Sequence, residues 1–368
     1  MTIPLSSPDI TEEEIAAVVE VLRTPRLSLG PKLEEFEQAI ATYSGAPYAV
    51  GLSSGTAGLH LALAAMGIGE GDEVVLPSFT FIAVAHAIRY VRATPVFAEI
   101  DPVTLNLTAG TISAVLTART RAIVVVHTFG CPVDLQPILD LAAQRGIRVI
   151  EDACEALGAE YRNRKAGSLG DAGIFAFYPN KPITTGEGGM LVTADRQLAE
   201  TIRALRNQGR RPGDGWLGHE LLGYNYRLSE INCALGIAQM SRLEQILARR
   251  ADRAAHYRAH LHDLPGVHLP VFETAGGRVC WFVFVIRVSG RDRVMAHLAS
   301  RGIATGRYFA PLHRQPLYAP FVKPWQDLAI TDAASESALA LPFFNGLTDT
   351  QIAEVAAALR DTMVTFAP

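Results

Sequence analysis

The sequence predicts an α/β fold with a mostly parallel sheet and a smaller α+β part at its C-terminal end. Three observations carry this. Over the first three-fifths of the chain, short apolar runs rich in β-branched residues alternate with helical stretches. Those runs lack the period-2 alternation of a half-exposed strand, so they suit strands covered on both faces by helices. Beyond a long helical stretch at 229–264 the character changes to a few strands and amphipathic helices. The hydrophobic share, 49% of 368 residues, suffices for a large core without disulfides or metal staples.

In chain order, YAVGL (48–52) reads as the first strand and 56–67 as a helix. EVVLP (73–77) follows, then a helix over about 81–91 and the strand TPVFAEI (94–100). RAIVVVH (121–127), a helix at 134–145 and RVIED (148–152) continue the alternation, and GIFAFYP and GGMLVT flank residue 181 as two further strands. WFVFVIRV (281–288) is a strand of the C-terminal part, 291–302 a helix, and 348–363 a closing helix. The expected division is 1–250 for the larger α/β part and 251–368 for the smaller one. The N-terminal segment is a candidate to pack on the latter. No repeat, low-complexity tract or linker interrupts the chain.

Composition excludes several classes of function. A formal charge of −4, without a Lys/Arg run, offers no footprint for nucleic acid. Cys131, Cys154, Cys233 and Cys280 are far apart and form no CxxC pair, which points to free thiols in a reducing compartment and to no metal site. The N-terminus has neither a basic nor an apolar leader region, and no apolar stretch is long enough for a bilayer span. A cytoplasmic protein without membrane contact is expected.

Chemistry is suggested by three segments. In SSGTAGLHLAL, residues Ser53 to Thr56 follow a strand and open a helix. Small residues there let backbone N–H groups close on an anion at the positive end of the helix dipole, although Ser and Thr are preferred N-caps in any case. Neither GxGxxG nor GxxxxGK[ST] is present. Asp152 ends the strand RVIED, and so stands at the carboxyl edge of the sheet, where α/β folds bind ligands; a capping acid is the plainer alternative. Only four of the 33 basic residues are lysine: Lys32, Lys165, Lys181 and Lys323. Lys181 alone has an apolar, glycine-rich setting, FAFYPNKPITTGEGG. Arginine cannot stand in for a neutral amine that attacks a carbonyl, and a lysine that forms a Schiff base must be partly desolvated. A lone loop lysine is ordinarily solvated surface. Together, an anion cradle, a strand-end aspartate and a sheltered lysine are complementary parts of one pyridoxal 5′-phosphate (PLP) site.

With SSGTAGLHLAL, LPSFTFIA, EIDPVTLNL, EDACEALGAEY, FYPNKPITTGEGGM, GYNYRLSEINCALG and GRYFAPLHRQP, the chain resembles the DegT/DnrJ/EryC1/StrS family of sugar aminotransferases nearly end to end. The resemblance implies a fold-type I PLP-dependent transferase with a seven-stranded, mostly parallel sheet. Lys181 would form the Schiff base with the cofactor and later carry the proton, and Asp152 would pair with the pyridine nitrogen. Ser54, Gly55, Thr56 and Ala57 would bind the phosphate and Phe81 would stack on the ring. Asn225 would reach the phosphate held by a neighbouring subunit, so a homodimer with shared sites is implied. Tyr308 and His313 would lie near the sugar.

Two positions depart from the pattern. Ala176 stands where many relatives carry a phosphate-binding serine, which shifts the load to Ser53, Thr56, backbone amides and Asn225. Glu155 stands where Gln or His is frequent, beside the expected phenolic oxygen of the cofactor, and is kept only as a candidate near the substrate.

The implied reaction takes an amino group from L-glutamate or L-glutamine, by way of pyridoxamine phosphate, to a nucleotide-linked 3- or 4-keto-deoxysugar. A keto-cyclitol acceptor, or another fold-type I reaction, would use the same residues. Lys181 speaks against a dehydratase branch that carries histidine there. A ligand-binding regulator without catalysis would need neither Lys181 nor Asp152 intact.

Overall fold

The computed structural model describes residues 2–211, 217–274 and 277–365. Seven strands form the main sheet: β1 (Tyr48–Leu52), β2 (Glu73–Pro77), β3 (Thr94–Ala98), β4 (Thr120–Val126), β5 (Arg148–Asp152), β6 (Ala172–Ala176) and β7 (Gly189–Thr193). Their spatial order is β1-β7-β6-β5-β4-β2-β3, with only β7 antiparallel to its neighbours. This is the expected mostly parallel, seven-stranded arrangement. The central strands are buried on both faces, which is why their sequences run apolar without alternation.

Helix α1 (Glu12–Leu22) packs on the later helix Glu230–Ser241, and the helices covering the sheet include α2 (Pro31–Ser44), α3 (Gly55–Ala65), α4 (Ala83–Tyr90), α5 (Gln136–Arg145) and α6 (Arg196–Leu205). The stretch expected as one helix at 229–264 is two, α7 (Glu230–Ser241) and α8 (Leu243–Leu261). Neither Pro nor Gly marks the break. It falls at Arg242, whose guanidinium donates to Glu14 at 2.9 Å and to Asp9 at 3.2 Å, tying the junction to the N-terminal segment.

A second, antiparallel sheet joins β8 (Val267–His268), β9 (Phe284–Val288) and β10 (Ala338–Leu341). With α9 (Arg291–Ser300), α10 (Ala329–Ser337) and α11 (Asp349–Thr365) it makes up most of the C-terminal third. Ile3 pairs with Ile303 and shares an apolar cluster with Tyr257, Phe284 and Leu359. Residues 281–283, expected as strand, lie outside β9. Their backbone is captured by Arg250, which is buried and donates to the carbonyls of Trp281 and Phe282, the latter at 2.7 Å. Hydrogen bonds from a charged donor contribute about 1.5–3 kcal/mol each, so Arg250 fixes Phe282 in place. Burial pushes the Arg250 pKa down to about 10, which leaves it charged near neutrality. Among the described residues, no helix is long and apolar enough to cross a membrane.

Candidate active site

Strands β1, β2, β4, β5 and β6 deliver their carboxyl ends, and β7 its amino end, to one edge of the sheet. A cavity of about 360 Å³ opens there. Its wall takes Ser54, Gly55 and Thr56 after β1, Thr80 and Phe81 after β2, Val126 from β4, Asp152 from β5 and Ala176 from β6. Lys181, Glu155, Phe282, Tyr308 and Phe309 complete much of the rest.

Residues Ser53 to Ala57 form a helix start as well as a cavity wall. Ser54 is the N-cap of α3, and its Oγ accepts the N–H of Ala57 at 3.1 Å. The N–H groups of a helix's first turn have no intrahelical partner. With that of Ala57 taken, those of Gly55 and Thr56 are left for a ligand. Gly189 at the start of β7 lets the turn come close, since a Cβ there would lie 2.4 Å from the backbone of Ser54. Ser53 gives its N–H to the carbonyl of Tyr226 at 2.9 Å and is not on the cavity wall.

Asp152 is buried at the last position of β5, and its Oδ1 accepts the N–H of Cys154 at 3.1 Å. Lys181 stands on the connection between β6 and β7, which is tied down rather than loose. Phe177 donates to the carbonyl of Gly188 at 3.0 Å, Thr185 to that of Phe177 at 3.0 Å, and Lys181 to that of Tyr178 at 2.9 Å. The Lys181 side chain is 13% exposed, with Nζ 4.0 Å above the Phe282 ring and 3.5 Å from Glu155 Oε1.

Glu155 is buried, and its second oxygen accepts the N–H of Phe129 at 2.9 Å. Burial pushes its pKa up, against the opposing effect of Lys181. The same burial, together with the neighbouring Glu155, pushes up the Tyr308 phenol. The Cys154 thiol on this wall is likewise raised by burial and by Asp152, which disfavours its nucleophilic thiolate. Phe129, with φ +57°, is presented by a loop that His127 anchors. His127 Nε2 lies 2.9 Å from buried Glu151, and its Nδ1 accepts the N–H of Val133 at 3.1 Å.

The structure thus brings together Ser54, Gly55, Thr56, Phe81, Asp152, Glu155, Lys181 and Tyr308. Phe81 is 61% exposed, a ring with room to cover a ligand. Ala176 is on the wall and adds no hydroxyl. His313, expected near the sugar, is not on the wall. It is buried behind it, with Nδ1 2.8 Å from Ser78 Oγ and Nε2 3.1 Å from Asp332. Asn225 is exposed and absent from the wall of its own cavity. Phe282, Phe309 and Asn180 are wall residues to which the sequence analysis gave no role. Phe282 was hidden inside an apparent strand, and the other two sat beside quoted motif residues.

The geometry suits PLP. A phosphate would meet the open N–H groups at the start of α3, a protonated ring nitrogen would meet Asp152, and an aldehyde would meet the sheltered amine of Lys181. Comparison with known proteins agrees. The family model described as the DegT/DnrJ/EryC1/StrS aminotransferase family matches residues 8–360. The chain is 42% identical over 368 residues to GDP-perosamine synthase of Caulobacter vibrioides, covering 98% of each. It is 37% identical to DesV of S. venezuelae, whose crystal structure is in complex with a ketimine intermediate, with TM-score 0.93 and 98% of each chain covered. The PLP form of the putative sugar aminotransferase Spr1654 of Streptococcus pneumoniae aligns with TM-score 0.94 at 26% identity, covering 99% of each.

Proposed function

This chain belongs to the DegT/DnrJ/EryC1/StrS aminotransferase family, and on that premise we propose that it moves an amino group from L-glutamate to the ketone of a nucleotide-linked deoxysugar. It is a PLP-dependent sugar aminotransferase. The name of the Caulobacter relative favours a GDP-linked acceptor. The observation that carries the reading is the sheltered amine of Lys181 sharing one cavity with Asp152 and the start of α3.

When bound, PLP supplies the electron sink that lets an amino group leave one carbon and join another. The protein's residues do the rest. Gly55 and Thr56 hold the phosphate through N–H groups, and Asp152 keeps the ring nitrogen protonated. Phe81 covers one face of the ring. Lys181 Nζ would take a proton from the donor carbon and, in the second half of the reaction, give one to the carbon that receives the amine. Such positioned transfer contributes about 10²–10⁴-fold. Phe282 and Tyr308 keep water from the amine.

Absorption spectroscopy of the purified protein tests this. L-Glutamate is expected to replace the long-wavelength band of the aldehyde form with the shorter-wavelength band of the amine form, and a GDP-linked keto-deoxysugar to restore the first. A band that neither glutamate nor glutamine alters would point to a different PLP reaction.

We also propose a homodimer in which Asn225 serves the neighbour's phosphate. Its side chain is exposed on a segment tied to the cavity rim through Tyr226 and Ser53. Mixing Lys181→Ala with Asn225→Ala subunits is then expected to give activity above the sum of the parents, because one site per mixed dimer is intact. No gain on mixing would mean that Asn225 serves its own subunit or no site.

A further inference from the structure

Residues 306–315 form a strap from the small sheet to the large one. At one end Gly306 exchanges backbone hydrogen bonds with Ala340 of β10, at 3.1 and 2.9 Å. At the other, the N–H of Leu312 donates to the carbonyl of Ser78, just past β2, at 2.9 Å. Between them Tyr308 and Phe309 form part of the cavity wall. We propose that His313 is a positioning residue, the clasp that fixes this strap and so sets where Tyr308 and Phe309 stand against the sugar, without touching the sugar itself. The proposal rests on reading the cavity as the sugar site.

His313 is held at three points. Its N–H donates to Ser78 Oγ at 3.0 Å, its Nδ1 lies 2.8 Å from the same oxygen, and its Nε2 lies 3.1 Å from Asp332 Oδ1. One neutral tautomer satisfies all three: Ser78 accepts the N–H and donates its own proton to Nδ1, while Nε2–H donates to Asp332. Burial favours that neutral form. Asp332 is itself fixed. It accepts from Arg314 and stands on α10, whose second and third N–H groups, those of Ile330 and Thr331, donate to Glu99 at 2.7 and 3.0 Å. Ser335 on the same helix donates to the carbonyl of Phe309 at 2.8 Å.

The order Ser–His–Asp resembles a nucleophile relay, but Ser78 is fully buried and its oxygen already serves His313. With both ring nitrogens engaged, none is left to exchange a proton with a substrate. An imidazole is the side chain that bridges an acceptor's place at Ser78 and a donor's place at Asp332 from one rigid ring.

The test uses His313→Asn, which keeps an acceptor towards Ser78, His313→Gln, which keeps a donor towards Asp332, and His313→Ala. In each, cofactor retention and the spectral response to L-glutamate are expected to persist. Hydrogen exchange across 306–315 is expected to quicken, and KM for a GDP-linked keto-deoxysugar to rise about 10- to 100-fold, with a smaller change in kcat. Alanine should be the most affected and either isostere partly rescued. A variant with unchanged exchange in the strap, or one that loses kcat while KM holds, would overturn the clasp. If the wild-type protein fails to turn over the sugar nucleotide, the functional reading fails, and strap exchange alone still decides the clasp.

Discussion

Lys181→Ala is expected to abolish transamination, by at least about 10²–10⁴-fold, while leaving the fold intact. The substitution removes an amine that is 13% exposed, and Glu155 keeps its bond from Phe129, so what is lost is the 3.5 Å contact to Glu155 and the amine's place 4.0 Å over the Phe282 ring. Lys181→Arg discriminates chemistry from charge. Arginine retains the cation over Phe282 and opposite Glu155, but its guanidinium does not shed a proton. Both variants should therefore be equally inactive, with thermal midpoints close to that of the parent. Turnover with glutamate and a GDP-linked keto-deoxysugar, read beside a melting curve, makes the comparison. Arginine activity well above that of alanine would mean that charge, not a transferable proton, is what position 181 supplies. Since Lys181 is one of only four lysines, mass spectrometry after borohydride reduction also locates the cofactor attachment without a crowd of competing sites.

The legible part of this protein was its sheet and the chemistry at its edge, for a definite reason. Strands buried on both faces must be continuously apolar, so EVVLP and RVIED could be bounded to the residue. Once a strand's end is known, whatever polar residue terminates it stands at the ligand edge, and Asp152 follows. Lys181 was legible because arginine replaces lysine almost everywhere else in the chain.

What was not legible depends on partners distant in the sequence. The break at Arg242 is made by Asp9 and Glu14, more than 200 residues away. WFVFVIRV has a strand-like composition throughout, but Arg250 claims the carbonyls of its first two residues and turns Phe282 beneath Lys181. His313 lies five residues from Tyr308 in a single motif, and only the positions of Ser78 and Asp332 send one behind the wall and the other onto it. Motif membership gave proximity to the site and not the direction of the side chain.

Asp152→Asn is the second large effect, and it isolates charge from shape. The amide oxygen can still accept the N–H of Cys154, now met at 3.1 Å, so β5 should end as before and the cavity should keep its form. What disappears is the negative charge opposite the ring nitrogen. Aimed electrostatic groups in sheltered sites contribute about 10²–10³-fold each, and turnover is expected to fall by that order. Cofactor affinity should fall less, because the start of α3 still holds the phosphate. The neighbouring Cys154 thiol gives an independent readout. Its pKa is raised first by burial and next by Asp152, so loss of the charge should bring it down, and alkylation of Cys154 should become faster at a given pH. Normal turnover with faster alkylation would show that the charge is felt at the wall but not used in the reaction. Loss of turnover with the cavity intact would place Asp152 in the electron sink that Lys181 depends on.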